Sequence, residues 1–137
     1  MKKKPFPYTS ETCPITSTIR VMGRRWKPLT LYFLRHGELR FSELRRHIPE
    51  ATQKMLTQTL RELEADGLIL RTVHEQVPPK VSYAMTPYGL TLEPILKAMC
   101  KWGDEHGKRT ARKQEAIDLL HAKKRKRLSK QREIVGE

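Results

Sequence analysis

The stretch that decides the fold is residues 52–67, which read TQKMLTQTLRELEADG. Its apolar side chains recur at spacings of three and four residues, which is typical of a helix with one face on a core. The residues of that face are Met55, Leu56, Thr59, Leu60 and Leu63. Thr52 is a suitable N-cap and Asp66-Gly67 a suitable end, so the stretch predicts a helix from Thr52 to Asp66.

The opposite face of this helix carries amides, a hydroxyl and two cations. Its residues are Gln53, Lys54, Thr57, Gln58 and Arg61. Such side chains can donate to and accept from base edges in the major groove of DNA, which presents both kinds of group. A solvated polar face is the ordinary alternative, because most amphipathic surface helices have one. Only the elements predicted on either side of this helix can distinguish a DNA-contacting face from an ordinary solvated one.

Three shorter helices are predicted before this one, over residues 14–22, 28–37 and 42–48. Prolines begin the first two, since the first turn of a helix tolerates a proline. Ser42 is expected to cap the third, with Phe41 and Leu44 facing inward and Pro49 ending it.

After the polar helix the pattern changes to short runs rich in β-branched and aromatic residues, 68–73 and 80–85. Residues 75–79 between them include two prolines, so the pair predicts an antiparallel hairpin with a stiff tip. A last helix is expected from Pro87 to Gly107, with Thr86 as its cap. Pro94 should bend this helix or delay its start.

This order of helices and hairpin predicts a winged helix-turn-helix domain, mainly α with a small β-hairpin wing. In that architecture the helix from Thr52 enters the major groove, while the preceding helix crosses the DNA backbone. Arg40 and Arg45 then become candidates for phosphate contacts. Lys80, on the wing, is expected near a phosphate or the minor groove. An ordinary surface position is nearly as good an explanation for each arginine taken singly.

The chain has 137 residues and a formal net charge of +13, which indicates one domain and a polyanionic partner. No stretch is apolar enough to span a membrane, and the N-terminus lacks a secretory pattern, so no membrane partner is expected. The two cysteines and five scattered histidines lack metal-ligand spacing. We therefore expect no metal, no cofactor, no enzymatic activity and a reducing, cytoplasmic location at the nucleoid.

Several motifs occur in a fixed order between Cys13 and His106. They include Cys13-Pro14, RFSEL at 40–44, QKMLTQ at 53–58, LRELE at 60–64, DGLI at 66–69 and VPP at 77–79. In these motifs the sequence resembles the HxlR-type winged-helix regulators, which are related in architecture to the MarR-type repressors. Arg24-Arg25 stands where that family usually has Gly-Lys. The resemblance implies a transcriptional regulator that binds double-stranded DNA as a homodimer.

The resemblance places the dimer interface on the first helix and on the long helix after Pro87. The apolar candidates there are Ile15, Ile19, Leu92, Ile95, Leu96, Met99 and Trp102. The chain then divides into a basic N-terminal arm over 1–12, the winged-helix domain over 13–110, and a basic C-terminal helix and tail over 111–137. The tail is expected to fray, and with the net charge it favours an alternative function: nonspecific nucleic-acid binding, as in a chromatin- or ribosome-associated protein.

Cys13 is the candidate redox sensor. It is expected at the cap of the first helix, beside a basic arm, where the helix dipole lowers a thiol pKa. Several HxlR-type regulators use a cysteine at the matching position to sense oxidants or electrophiles, while others carry it without that role, so both possibilities stay open. Cys100 is expected to be a buried, unreactive interface residue. A thiol redox enzyme is a third and weaker possibility.

Overall fold

The computed structural model describes residues 3–136, so Met1 and Lys2 of the expected arm and Glu137 of the expected tail lie outside the described residues. Six helices and three strands follow one another in that range. They are α1 (Pro14–Met22), α2 (Trp26–Leu34), β1 (Leu39–Arg40), α3 (Phe41–His47), α4 (Gln53–Ala65), β2 (Ile69–His74), β3 (Lys80–Met85), α5 (Pro87–Leu90) and α6 (Glu93–Val135). The predicted mainly α-helical class with a small β-hairpin is confirmed.

The chain forms two compact units, which meet in sequence between Leu96 and Lys97. The core of the first unit is an aliphatic cluster to which α2, α3, α4 and the sheet all contribute. Its most buried side chains include Leu31, Leu34, Leu44, Leu56, Leu60 and Leu63. The second unit is the continuation of α6, whose side chains are almost all exposed.

The apolar face of α4 is as predicted, with one exception. Leu56, Leu60 and Leu63 are buried, and Thr59 is buried beside them. Met55 was expected on the same face but is 45% exposed, because it lies at the edge of the stripe and borders a surface depression with Trp26. Thr52 caps the helix as expected, since its Oγ1 accepts a hydrogen bond of 3.1 Å from the N–H of Met55.

The sheet has three antiparallel strands in the order β1-β3-β2. The hairpin pairs Ile69 with Met85 and His74 with Lys80, one residue later on its first strand than predicted. Strand β1 was not predicted, because two residues are too few to show a period. It pairs Leu39 with Tyr83 and makes β3 the central strand.

Two predicted helix starts were wrong. Helix α2 begins at Trp26 and ends at Leu34, so Pro28 lies inside the first turn, where its missing N–H costs no hydrogen bond. Helix α3 begins at Phe41, which places Ser42 inside the helix. The carboxylate of Glu43 takes over the capping, since its Oε1 accepts a hydrogen bond of 3.1 Å from the N–H of Arg40.

Helix α6 starts late and runs far past its predicted end. Thr86 caps the short α5 by accepting a hydrogen bond of 2.9 Å from the N–H of Gly89, and Pro94 occupies the first turn of α6. The expected end near Gly107 and the expected fraying of the tail were wrong, because the helix continues to Val135. Most residues after Gly107 are strong helix formers, which offsets the cost of one glycine.

Candidate nucleic-acid interface

The polar face of α4 forms an open depression of about 450 Å³. The five side chains that line it are the five predicted to contact bases: Gln53, Lys54, Thr57, Gln58 and Arg61. All are exposed except Thr57, which is half-buried. We call this surface the reading face. It presents amide, hydroxyl and cationic groups together, as contact with base edges requires.

Hydrogen bonds along α4 orient part of the reading face. The hydroxyl of Thr57 donates to the carbonyl oxygen of Gln53 at 2.7 Å, so its proton is already used and its oxygen remains available as an acceptor. The Nε2 of Gln58 donates to Oε1 of Glu62 at 3.1 Å. That bond uses one of the two amide hydrogens of Gln58 and restricts its rotamers.

An ion pair between α2 and α4 supports this arrangement. The Nζ of Lys27 lies 2.9 Å from Oε2 of Glu62, and Lys27 is only 8% exposed. The hydrogen bonds from Lys27 and then from Gln58 hold the pKa of Glu62 below its usual range. Sequence reasoning missed the pair because lysines are rarely buried. The signal was the spacing of Lys27 from Thr30, Leu31 and Leu34, which are core-facing positions of α2.

The other predicted DNA contacts lie on separate surfaces. Arg45 lines a hollow of about 370 Å³ on α3, together with Ser42, Arg46 and Pro49. Arg40 is exposed where β1 meets α3, and Lys80 is half-buried at the start of β3. Arg40, Arg45 and Lys80 therefore do not line the reading face. Arg45 lies on α3 and Lys80 on the hairpin, whereas Arg40 ends β1 and is the N-cap residue of α3.

A polar cluster that sequence reasoning also missed ties the wing to β1. The hydroxyl of Ser82, buried on β3, donates to Oε1 of Glu38, and the Nε2 of His74 lies 2.8 Å from the same hydroxyl oxygen. The same Nε2 lies 3.3 Å from Oε1 of Glu38. The hydrogen bonds with Ser82 and then with His74 lower the pKa of Glu38 from its ordinary value. Glu38 is distant in sequence from His74 and Ser82, so only the pairing of β1 with β3 brings it to them.

The two cysteines are both free thiols. Cys13 is the N-cap residue of α1 as predicted, and it is half-buried. Its carbonyl oxygen accepts a hydrogen bond of 2.9 Å from the N–H of Thr16. Cys100, predicted to be buried in an interface, is exposed on α6 in the single chain.

The predicted dimer-interface residues differ in exposure within the single chain. Five are exposed apolar side chains: Ile15, Ile19, Ile95, Met99 and Trp102. Trp102, 69% exposed, stacks on His106 with 4.9 Å between ring centroids. Leu92 is half-buried, and Leu96 is 3% exposed. Leu96 therefore fills the chain's own core and offers little surface to the dimer interface in which it was predicted.

Residues 3–136 contain no group of three or more histidine, cysteine or acidic side chains that could hold a metal ion. Over the same range, no helix combines the length and the apolar character that crossing a membrane requires.

The sequence pattern of the HxlR-like helix-turn-helix family matches residues 21–111. The chain belongs to this family. It is 49% identical over 105 residues to YybR, an HTH-type transcriptional regulator of Bacillus subtilis, and the match covers 77% of this chain and 83% of YybR. The predicted family is therefore confirmed, and the broad functional class of this HxlR-like protein is that of a transcriptional regulator.

Solved structures of related regulators have the same fold. The oxidised form of the redox regulator HypR matches with a TM-score of 0.66 and 50% identity, over 68% of this chain and 96% of HypR. A protein of Porphyromonas gingivalis W83 described as a MarR-family regulator matches with a TM-score of 0.70 and 32% identity, over 73% and 98% of the two chains. These matches confirm the predicted winged-helix fold.

Proposed function

We propose that this HxlR-like protein regulates transcription by binding double-stranded DNA sequence-specifically through α4. The observation that carries the proposal is the reading face, which gathers five side chains with donors and acceptors on one open surface. Base edges in the major groove can be told apart only by such mixed groups. A face made of lysines alone would hold phosphates without distinguishing sequences.

The remaining contacts serve to position α4. Arg40 immediately precedes α3 and Arg45 lies on it, and both are exposed, so they can reach the phosphates that α3 crosses. Lys80, on the wing, supplies charge without the planar fork of an arginine, so we assign it a phosphate rather than a base. Binding to chromosomal DNA implies a cytoplasmic location at the nucleoid.

The active unit is a homodimer on a pseudo-palindromic operator. Ile15 and Ile19 on α1, with Ile95, Met99 and Trp102 on α6, are large apolar side chains that the single chain leaves exposed. Apolar groups of this size are costly to leave in water, and contact with a second copy of the chain would remove them from it.

Selection of bound duplexes from a random library tests the proposal directly. The full chain should enrich an inverted repeat whose half-site centres are about 34 Å apart, one helical turn of DNA. Footprints on the DNA flanking its own gene should protect the same repeat. Binding without enrichment would contradict sequence-specific recognition, and failure to bind duplex DNA would contradict DNA binding altogether.

Nonspecific nucleic-acid binding is the second candidate function. It is favoured by the run of five cations from Lys123 to Arg127, all exposed on α6. A like-charge run of this kind can follow a phosphate backbone but makes no selective contact with bases. This candidate predicts that the C-terminal part of α6 dominates binding to every sequence alike.

A response to oxidants through Cys13 is a further part of the proposal. It is supported by the position of Cys13 at the N-terminus of α1 and by the similarity to HypR, which is described as a redox regulator. Oxidation of this thiol would act on α1, the helix to which we assign part of the dimer interface.

A further inference from the structure

A second depression, of about 510 Å³, lies beside the reading face. It opens between the loop that joins α1 to α2 and the edge of α4. Its lining consists of Arg24, Arg25, Trp26, Lys54, Met55, Gln58, Thr59 and Glu62. Lys54 and Gln58 belong to both depressions, so the two arginines of the loop border the surface that faces the DNA in the proposed function.

The backbone of Arg24 is held in a conformation that only glycine adopts easily. Its φ angle is 73°, in the left-handed region, and it is the only residue other than glycine with a positive φ in the part of the chain that the structure describes. A side chain in this region is strained because Cβ approaches the following carbonyl oxygen. Strained positions of this kind concentrate at functional sites.

The charge of Arg24 is not neutralised by a close ion pair within the protein. The carboxylate of Glu62 is already bonded by Lys27 at 2.9 Å and by Gln58 at 3.1 Å. Arg24 approaches the same carboxylate only to 4.0 Å, and its side chain is 78% exposed. The guanidinium therefore retains hydrogen-bond donors that face solvent.

The guanidinium of Arg25 is also exposed to solvent, and the neighbouring Trp26 orients it. Its guanidinium lies over the ring of Trp26, 4.6 Å from the ring centroid. Stacking of this kind holds the flat group against the ring while its N–H donors point outward at the edge, where they match the geometry of a phosphate. Trp26 itself is half-buried in the first turn of α2, which fixes the platform.

We propose that Arg24 and Arg25 form a phosphate clamp that grips the DNA backbone next to the groove entered by α4. This inference rests on the proposed function, because it assigns a further contact to the same DNA. The clamp adds affinity without reading bases. Because Lys54 and Gln58 border both depressions, a phosphate held by the clamp also fixes where α4 lies along the groove.

The sharpest test is Arg24→Gly, which removes the charge and the strain together. A merely structural arginine would lose stability on this change, whereas the clamp assignment expects an equal or higher Tm. Binding to operator and to random duplex should weaken alike. Each lost phosphate contact makes the slope of log K against log salt shallower by about 0.9, so the defect should shrink about threefold between roughly 50 and 200 mM salt.

The matched controls separate the possible outcomes. Arg24→Gln and Arg25→Gln should reproduce the change in slope, while Arg20→Gln, on the exposed surface of α1 outside the depression, should leave it unchanged. Wild-type slopes in the Arg24 and Arg25 variants, or an equal effect of Arg20→Gln, would overturn the clamp while leaving the proposed function intact. Failure of the wild-type chain to bind duplex DNA would instead contradict the proposed function.

Discussion

The ammonium group of Lys27 lies 2.9 Å from the carboxylate of Glu62 and joins the first turn of α2 to the outer edge of α4. Because Lys27 is almost buried, this ion pair is less exposed to competing water than a surface pair. The other oxygen of Glu62 accepts the hydrogen bond from Gln58. The packing of α4 on α2 and the orientation of a reading-face amide therefore depend on one carboxylate.

Glu62→Gln should lower stability at pH 7 in a way that depends on pH. The pKa of Glu62 is lowered from its ordinary value of 4.5, chiefly by the bond from Lys27. A carboxyl with a depressed pKa in the folded chain contributes stability above its unfolded pKa, and that contribution is lost as the pH falls through the folded value. The stability difference from wild type in urea titrations should therefore shrink as the pH falls below 4.5.

Glu64→Gln is the matched control for this prediction, since Glu64 is exposed on the same helix. Its effect at pH 7 should be the smaller of the two. A Glu62→Gln difference that stays constant from neutral to acid pH would contradict a role for the ionised carboxylate.

Gly89→Ala should destabilise the chain strongly. A Cβ at this position would penetrate the carbonyl oxygen of Leu68, and a backbone atom cannot move aside as the tip of a side chain can. We expect a loss of about 3 kcal/mol or more, at the upper end for overpacked sites. Gly107→Ala is the control, because its Cβ would meet nothing within 4 Å, and in a helix it should be neutral or stabilising by about 1 kcal/mol. Equal Tm values for the two variants would contradict this packing.

The parts of the fold that follow from local chemistry could be predicted from the sequence. The caps Thr52 and Thr86 and the five residues of the reading face each depend on neighbours within one or two turns. Apart from the exact ends of α2, α3 and α6, the missed features join distant parts of the chain. Strand β1 exists only through its pairing with β3, and the Lys27–Glu62 pair requires two helices to be packed before the residues can meet.

The exposed apolar residues of α1 and α6 lead to a prediction about assembly. The wild-type chain should sediment as a dimer, and Ile19→Glu should raise its dissociation constant at least about tenfold by burying a carboxylate at the interface. Ile134→Glu, at an exposed position near the end of α6, should leave the dimer intact. A wild-type monomer that protects single half-sites would show that the dimer proposal is wrong.

Oxidant response should depend on Cys13 and not on the exposed Cys100. Diamide or a quinone should weaken operator binding by the wild-type chain and by Cys100→Ser, and should leave Cys13→Ser unaffected in gel-shift titrations. Equal sensitivity of Cys13→Ser would exclude Cys13 as the sensor.

In the proposed function α4 reads sequence, whereas the basic end of α6 can add only charge, and the ratio of operator to random-duplex affinity separates the two contributions most directly. Gln58→Ala or Arg61→Ala should cost about 1 to 3 kcal/mol on the operator and much less on random DNA, so the ratio falls. Removal of the residues after Thr110 should weaken both affinities by the same factor, so their ratio should stay unchanged. It should also make the slope of log K against log salt shallower. If Gln58→Ala and Arg61→Ala left the ratio unchanged, the reading face would not be the source of specificity; a wild-type ratio near one, with binding to both duplexes lost only on the deletion, would favour nonspecific binding through the tail.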